Sequence, residues 1–213
     1  MKTDALIAAL AERTTPVAPR APLRAIGLAC LVGAAGATIL LFAWLGPRPD
    51  LHLAMRTAGF WIKQAYTLWL AIAGLALAER LSRPGGRPGR VVWLLVAGFT
   101  AIVLAGAVAV AASPPEQRML MVMGGSWRVC PWRIVVFSLP AFAALLMGLR
   151  HLAPTRLALA GAAAGLLAGA IGASLYGLAC GEGSPMFVAI WYTLGMGACA
   201  AIGALCGPRL LRW

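Results

Sequence analysis

Six long apolar runs, separated by short segments rich in proline, glycine and arginine, organise the chain. A helix of about 20 apolar residues is long enough to cross the hydrocarbon of a bilayer. The runs Ala25–Leu45, Gly59–Ala78, Val91–Ala112, Ile134–Leu149, Leu157–Ala179 and Phe187–Cys206 therefore predict six transmembrane helices. The fourth is the shortest and contains Pro140, which predicts a kink tolerated by neighbouring helices. Gly46-Pro47-Arg48-Pro49, the run Pro84 to Gly89 and Ser113-Pro114-Pro115 punctuate the helices. No connection is long enough for a folded domain, and the longest, Ser113 to Arg133, has room for one short surface helix. The pattern divides the chain into an N-terminal segment at 1–24, a six-helix domain at 25–206 and a tail at 207–213. The expected fold class is an all-α integral membrane bundle.

Composition agrees with the pattern. The 213 residues are 62% hydrophobic and 11% charged, whereas a soluble domain carries about a quarter charged residues. The net charge of +12 arises from 18 Lys and Arg against 6 Asp and Glu. No basic stripe with interleaved aromatics accompanies it, so direct nucleic-acid binding is not expected. The basic residues instead fall between apolar runs and orient the bundle. With the N-terminus inside, 12 of the 18 lie on the inner side, which predicts cytoplasmic termini. Trp44, Trp61, Trp93, Trp132 and Trp213 suit the interfacial belts, in contact with lipid. The apolar stretch Ala5–Ala11 is short and is followed at once by Glu12 and Arg13, a poor signal-peptide core. Residues 1–24 are expected to be retained and not inserted.

Candidate chemistry inside the membrane is sparse. No acidic residue falls at a helix centre, which disfavours proton-coupled transport. Lys63 lies about one turn inside the second helix, where its ammonium is expected to snorkel outward. His52 and His151 belong on opposite sides and cannot share a metal, and no helical HExxH or Ser/His/carboxylate set occurs. No internal repeat points to a transporter. The inventory predicts neither an enzyme nor a cofactor. Gly161, Gly165 and Gly169, continued by Ala173 and Gly177, lie every fourth residue on one helix face, spacing that permits close helix packing.

Two of the five cysteines stand apart. Cys30, Cys199 and Cys206 lie within apolar runs and read as small hydrophobes. Cys130 and Cys180 flank the fourth and fifth helices on the outer side, an oxidising space in a Gram-negative host. Arg128 and Arg133 beside Cys130 would favour its thiolate. Glu182 would disfavour that of Cys180, or join the thiols as a metal ligand. A constitutive disulfide, a reactive or transiently metal-binding pair, and two unrelated cysteines all remain open. The absence of CxxC weakens a quinone-coupled thiol oxidoreductase.

At the N-terminus, Thr3 or Asp4 can cap a short helix that places Leu6, Ile7 and Leu10 on one face before Pro16 and Pro19 stop it. An amphipathic helix on a proline-rich tether suits a protein partner or the membrane surface.

The opening MKTDALIAALAERTTPVAP, the CPW element at Cys130, the run LRHLAPTRLALAGAAAGLLAGAIGASLYGLAC and the closing MFVAIWYTLGM together resemble the NrsF-type family. These are bacterial six-helix membrane anti-sigma factors paired with a sigma factor of the extracytoplasmic-function class. The resemblance implies a multi-pass protein of the bacterial inner membrane whose cytoplasmic face sequesters such a sigma factor and releases it under extracytoplasmic stress, such as oxidants or heavy metals. It implies sigma contact around Leu6, Ile7 and Leu10, and stress sensing by Cys130 and Cys180. A small transporter and a membrane thiol oxidoreductase are the competing readings.

Overall fold

The computed structural model describes Thr3 and residues 21–212. Six long helices are present, each apolar and long enough to span a bilayer: α1 (Ala21–Leu45), α2 (Ala58–Leu81), α3 (Val91–Ala111), α5 (Cys130–Arg150), α6 (Leu157–Tyr176) and α7 (Pro185–Leu210). The short helix α4 (Pro115–Met123) lies between α3 and α5 and buries none of its residues. Its position matches the surface helix expected in that connection. No strand occurs among the described residues.

The boundaries differ from the apolar runs where capping chemistry extends a helix. Helix α5 begins at Cys130, before the apolar run, because Pro131 sits in its first turn, where the missing N–H has no intrahelical partner to lose. Helix α7 begins at Pro185, with the Ser184 hydroxyl accepting from the Phe187 amide. It continues past Cys206 to Leu210, so the expected tail at 207 is in part helical. Helix α6 ends at Tyr176, and the amides of Leu178 and Ala179 bond back to the carbonyls of Leu175 and Tyr176 in tight turns. Pro140 lies within an α5 that remains one continuous helix, and its ring lies 2.8 Å from where a Cβ on Gly36 of α1 would stand.

Helix α6 occupies the centre of the bundle and is the most buried of the six, whereas α3 lies at the periphery. Between helices in lipid there is little hydrophobic drive, so close packing of small residues carries the association. The glycine face of α6 does this against α7. A Cβ on Gly161 would run into the Gly203 carbonyl, one on Gly165 into the Cys199 carbonyl, and one on Gly169 would lie 3.1 Å from the Met196 Cα. The same helix meets α5 through Gly172, whose Cβ would approach the Ser138 amide to 2.7 Å. The outward faces are apolar as well. Leu31, Ile39, Trp93, Val108 and Leu205 are all about 70% exposed or close to it, as expected of side chains that meet lipid rather than water.

The helices alternate in direction, so each end of the bundle collects a distinct set of groups. One end holds Arg80, Arg83, Arg87, Arg90, Arg150, Arg156 and Arg209; the other holds Arg48, Lys63, Cys130, Cys180 and Glu182. The described histidines separate in the same way: His52 lies in a single turn at the thiol end, and His151 closes α5 at the arginine-rich end.

Candidate functional site at the thiol end

Cys130 is the first residue of α5. The preceding connection delivers it there through a glycine with positive φ, Gly124 (φ 57°), and the Cys130 amide bonds to the Ser126 carbonyl at 2.9 Å. Cys180 follows the end of α6, its amide bonded to the Tyr176 carbonyl at 2.9 Å. The fold brings these two cysteines together. Their thiols interact directly, both are free, and both are buried, Cys130 completely and Cys180 to 4% exposure. Far apart in sequence, Cys130 and Cys180 are neighbours in the fold.

Lys63 departs from expectation. Rather than snorkelling outward, it is 1% exposed, and its ammonium donates to the carbonyls of Cys180 at 2.9 Å and Glu182 at 3.0 Å. The physical reason is local supply: two backbone carbonyls turned inward satisfy the ammonium, so it gains nothing by reaching for water. The charge also lies 5.9 Å from the centroid of the Tyr192 ring, within range of a cation–π attraction.

Glu182 is held by the segment that precedes Cys130. One carboxylate oxygen accepts from the amides of Gly125 at 2.8 Å and Ser126 at 3.0 Å, and from the Ser126 hydroxyl at 3.0 Å. It thereby ties the segment after Cys180 to the segment before Cys130. Gly124 is required for that contact as well as for its φ, because a Cβ there would stand 2.6 Å from the second carboxylate oxygen. Lys63 and Glu182 therefore clamp the 180–182 backbone from two sides.

Beneath the pair runs a file of aromatic rings. Trp44 stacks on Phe137 (centroids 5.9 Å), Phe137 neighbours Tyr176 (5.9 Å), Tyr176 neighbours Tyr192 (6.0 Å) and Tyr192 neighbours Phe187 (6.5 Å). Tyr192 lies in a widened π-helical turn of α7, Val188–Tyr192. Its hydroxyl is buried with no hydrogen-bond partner and neighbours Cys180.

The electrostatics favour an anionic sulfur at Cys180. The neighbouring Cys130 thiol and the Lys63 ammonium hold the Cys180 thiol below the ordinary thiol range, against the opposing desolvation of burial. Arg128 lies with its guanidinium 5.0 Å over the Trp127 ring, and Arg133 lies beside the Tyr176 phenol. The cation at the pair is Lys63, not the arginines that flank Cys130 in sequence. The other expected modulator, Glu182, is engaged by the 125–126 amides and is not a thiol ligand in this arrangement. Among the described residues no three His, Cys, Asp or Glu side chains are grouped to hold a metal ion. Gly161, Gly165 and Gly169 lie away from the pair, in the α6–α7 interface. Leu6, Ile7 and Leu10 lie outside the described residues.

The arrangement joins two contacting thiols, a fixed cation and an aromatic floor at the junction of α2, α5, α6 and α7. Such a pair can undergo thiol–disulfide chemistry.

Comparison with known proteins places the chain in a family. The model of the family described as negative regulator of sigma F matches residues 10–213. Over the full length of both chains, the sequence is 45% identical to the anti-sigma-F factor NrsF of Caulobacter vibrioides (strain NA1000 / CB15N). It is 42% identical to the probable anti-sigma-F factor NrsF of Azospira oryzae, again over both full lengths. No solved structure matches. A bundle with a thiol pair at one end and arginines at the other, matched along nearly its whole length, belongs to the NrsF family of negative regulators of sigma F.

Proposed function

We propose that the protein is an anti-sigma factor of the bacterial inner membrane. In this reading its termini and arginine-rich end face the cytoplasm and hold a sigma factor of the extracytoplasmic-function class away from RNA polymerase. Its thiol end faces outward, and oxidation of Cys130 and Cys180, or their capture by a thiophilic metal, releases the factor. Family membership supports the regulatory role, and the excess of Lys and Arg on the side of the termini supports the orientation. The observation that carries the sensing role is the buried contact between Cys130 and Cys180, two residues far apart in sequence that meet next to a fixed cation.

The N-terminal segment is the candidate grip on the partner. Burying one apolar anchor contributes roughly 1.5–3 kcal/mol. Leu6, Ile7 and Leu10 together supply roughly 5–9 kcal/mol gross, most of which association costs consume. Tight binding therefore calls for further contacts from the 79–90 and 150–156 connections at the same end.

The test is capture of the full-length protein from solubilised membranes. A sigma factor should co-purify, deletion of residues 1–20 should free it, and deletion of the whole chain should switch on its regulon. A regulon that stays silent after full deletion removes the anti-sigma reading. Replacing Cys130 and Cys180 together by serine should preserve repression and abolish induction by oxidants or soft metals. Normal induction in that variant removes the thiol mechanism and leaves the regulatory role standing.

A further inference from the structure

The two thiols sit in different surroundings, and the difference is one of access as much as of charge. A cleft of about 380 Å³ opens at the thiol end, lined in part by Arg48, Thr57, Phe60, Lys63 and the Gly181–Gly183 segment. Its wall thus includes the residue directly after Cys180 and the lysine bonded to the Cys180 carbonyl. No residue of α5, and none of the 124–129 connection, lines it. Gly181 and Gly183 carry no side chain to cover this approach, and no atom lies within 4 Å of where a Cβ on either would stand. Cys130 is fully buried, and its amide is bonded to the carbonyl of Ser126, in the segment that Glu182 holds in place.

We propose that the pair is asymmetric: Cys180 is the sulfur that meets a small hydroperoxide entering from this cleft, Cys130 is the sulfur that resolves it, and Lys63 is the positioning residue for Cys180. This assignment rests on the thiol-sensing reading above and gives each of its parts a role. Three independent features converge on Cys180. Lys63 fixes the backbone on both sides of Gly181 through the Cys180 and Glu182 carbonyls and sets a positive charge behind the sulfur. The Tyr192 hydroxyl, buried and without a hydrogen-bond partner, neighbours the same sulfur and is free to donate to a thiolate there. The cleft is walled by Gly181, the residue next to Cys180, and by no residue of α5.

The chemistry balances without further reagents. The Cys180 sulfur attacks the distal oxygen of the hydroperoxide; an S–O bond forms as the O–O bond breaks. The sulfur is oxidised by two electrons to a sulfenic acid, and the peroxide is reduced to an alcohol, or to water from hydrogen peroxide, taking up the thiol proton. The Cys130 sulfur then attacks the Cys180 sulfur. An S–S bond forms, the S–O bond breaks, and the hydroxyl leaves as water with the Cys130 proton. The product is a disulfide joining the start of α5 to the end of α6.

The experiment uses the full-length chain in detergent, hydrogen peroxide as oxidant and a cyclic 1,3-diketone as sulfenate trap, read by mass spectrometry. Cys130→Ser should accumulate trapped sulfenate at Cys180 at least tenfold faster than Cys180→Ser accumulates it at Cys130. Equal rates, or faster labelling of Cys130, overturn the assignment and leave thiol sensing intact. Absence of sulfenate in both variants together with absence of a disulfide in the wild type overturns the assignment and the sensing reading with it. The role of Lys63 is read from the pH profile of Cys180 alkylation by iodoacetamide in the Cys130→Ser background. The groups facing Cys180 are Lys63 from α2, Arg48 from the connection after α1, Cys130 from α5, Tyr176 from α6 and Tyr192 from α7. Among these, removing the cation with Lys63→Met should move the midpoint upward, and Lys63→Arg should restore it. An unchanged midpoint in Lys63→Met overturns the role given to Lys63. Should Lys63→Met fail to fold, the sulfenate comparison still decides the assignment of the thiols.

Discussion

Removal of the Glu182 carboxylate should open the thiol site without unfolding the bundle. The side chain accepts three hydrogen bonds, from the Gly125 amide, the Ser126 amide and the Ser126 hydroxyl. Bonds to an ionised acceptor contribute about 1.5–3 kcal/mol each when desolvated, but the Gly125 bond is exposed and the two at Ser126 are only partly buried. Discounted for water, which replaces an exposed partner readily, the three together hold the loop by about 2–3 kcal/mol. At about 1.4 kcal/mol per factor of ten, Glu182→Ala should raise the population of the open loop by roughly 30- to 150-fold. The loop in question is bonded through the Ser126 carbonyl to the amide of Cys130, which is fully buried. The assay is the rate of Cys130 alkylation by a maleimide in detergent, in a Cys180→Ser background so that one sulfur is followed. Glu182→Gln keeps an oxygen acceptor and loses the charge, and its rate should fall between wild type and Glu182→Ala. A Cys130 rate in Glu182→Ala within threefold of wild type would refute the clamp, because the burial of the thiol would then depend on something other than these three bonds.

Other perturbations follow from the same geometry. Gly165→Val places side-chain atoms into the Cys199 carbonyl of α7, where backbone cannot yield as a flexible side chain can. The cost should reach about 3 kcal/mol, the upper part of the range for overpacking, and be seen as lower yield and a lower melting temperature of the detergent-solubilised protein. Gly27→Ala on α1 meets no atom within 4 Å and should be neutral in the same assay. Arg48 pairs with Asp50 at the exposed rim and holds the Asp50 carboxyl below the usual carboxylate range by donating hydrogen bonds to it. A depressed carboxylate pKa contributes stability above the ordinary value that is lost as pH falls through the folded-state value. Because Asp50 is open to water, Asp50→Asn should leave the melting temperature unchanged at neutral pH and moderate salt.

The helices were legible because a bilayer demands one pattern, about twenty apolar residues in succession, and that pattern is written locally. The α6 glycine face was legible for the same reason: Gly161, Gly165 and Gly169 declare a close approach before the partner is known, and α7 supplies it. The candidate site was legible only as a pair of residues worth watching. Whether Cys130 and Cys180 meet depends on which helix ends are neighbours, and nothing local to either cysteine encodes that. Lys63 was misread for a sharper reason. Its depth in an apolar helix implied an escape to water, yet the groups that satisfy it are carbonyls 117 and 119 residues away in sequence. Glu182 was read against the nearest thiol, yet it is held by amides 57 and 56 residues away. Both errors share one cause. The atoms that organise this site are backbone N–H and C=O groups, which every residue type but proline supplies alike. They leave no mark in the sequence until a chain reversal turns them inward. What the sequence does display is the side chain that needs them, and a lysine one turn deep in an apolar helix raises two questions: how it reaches water, and what polar backbone could make that unnecessary. At the thiol end of this bundle the second question has the answer, and the cation it retains is the one next to Cys180.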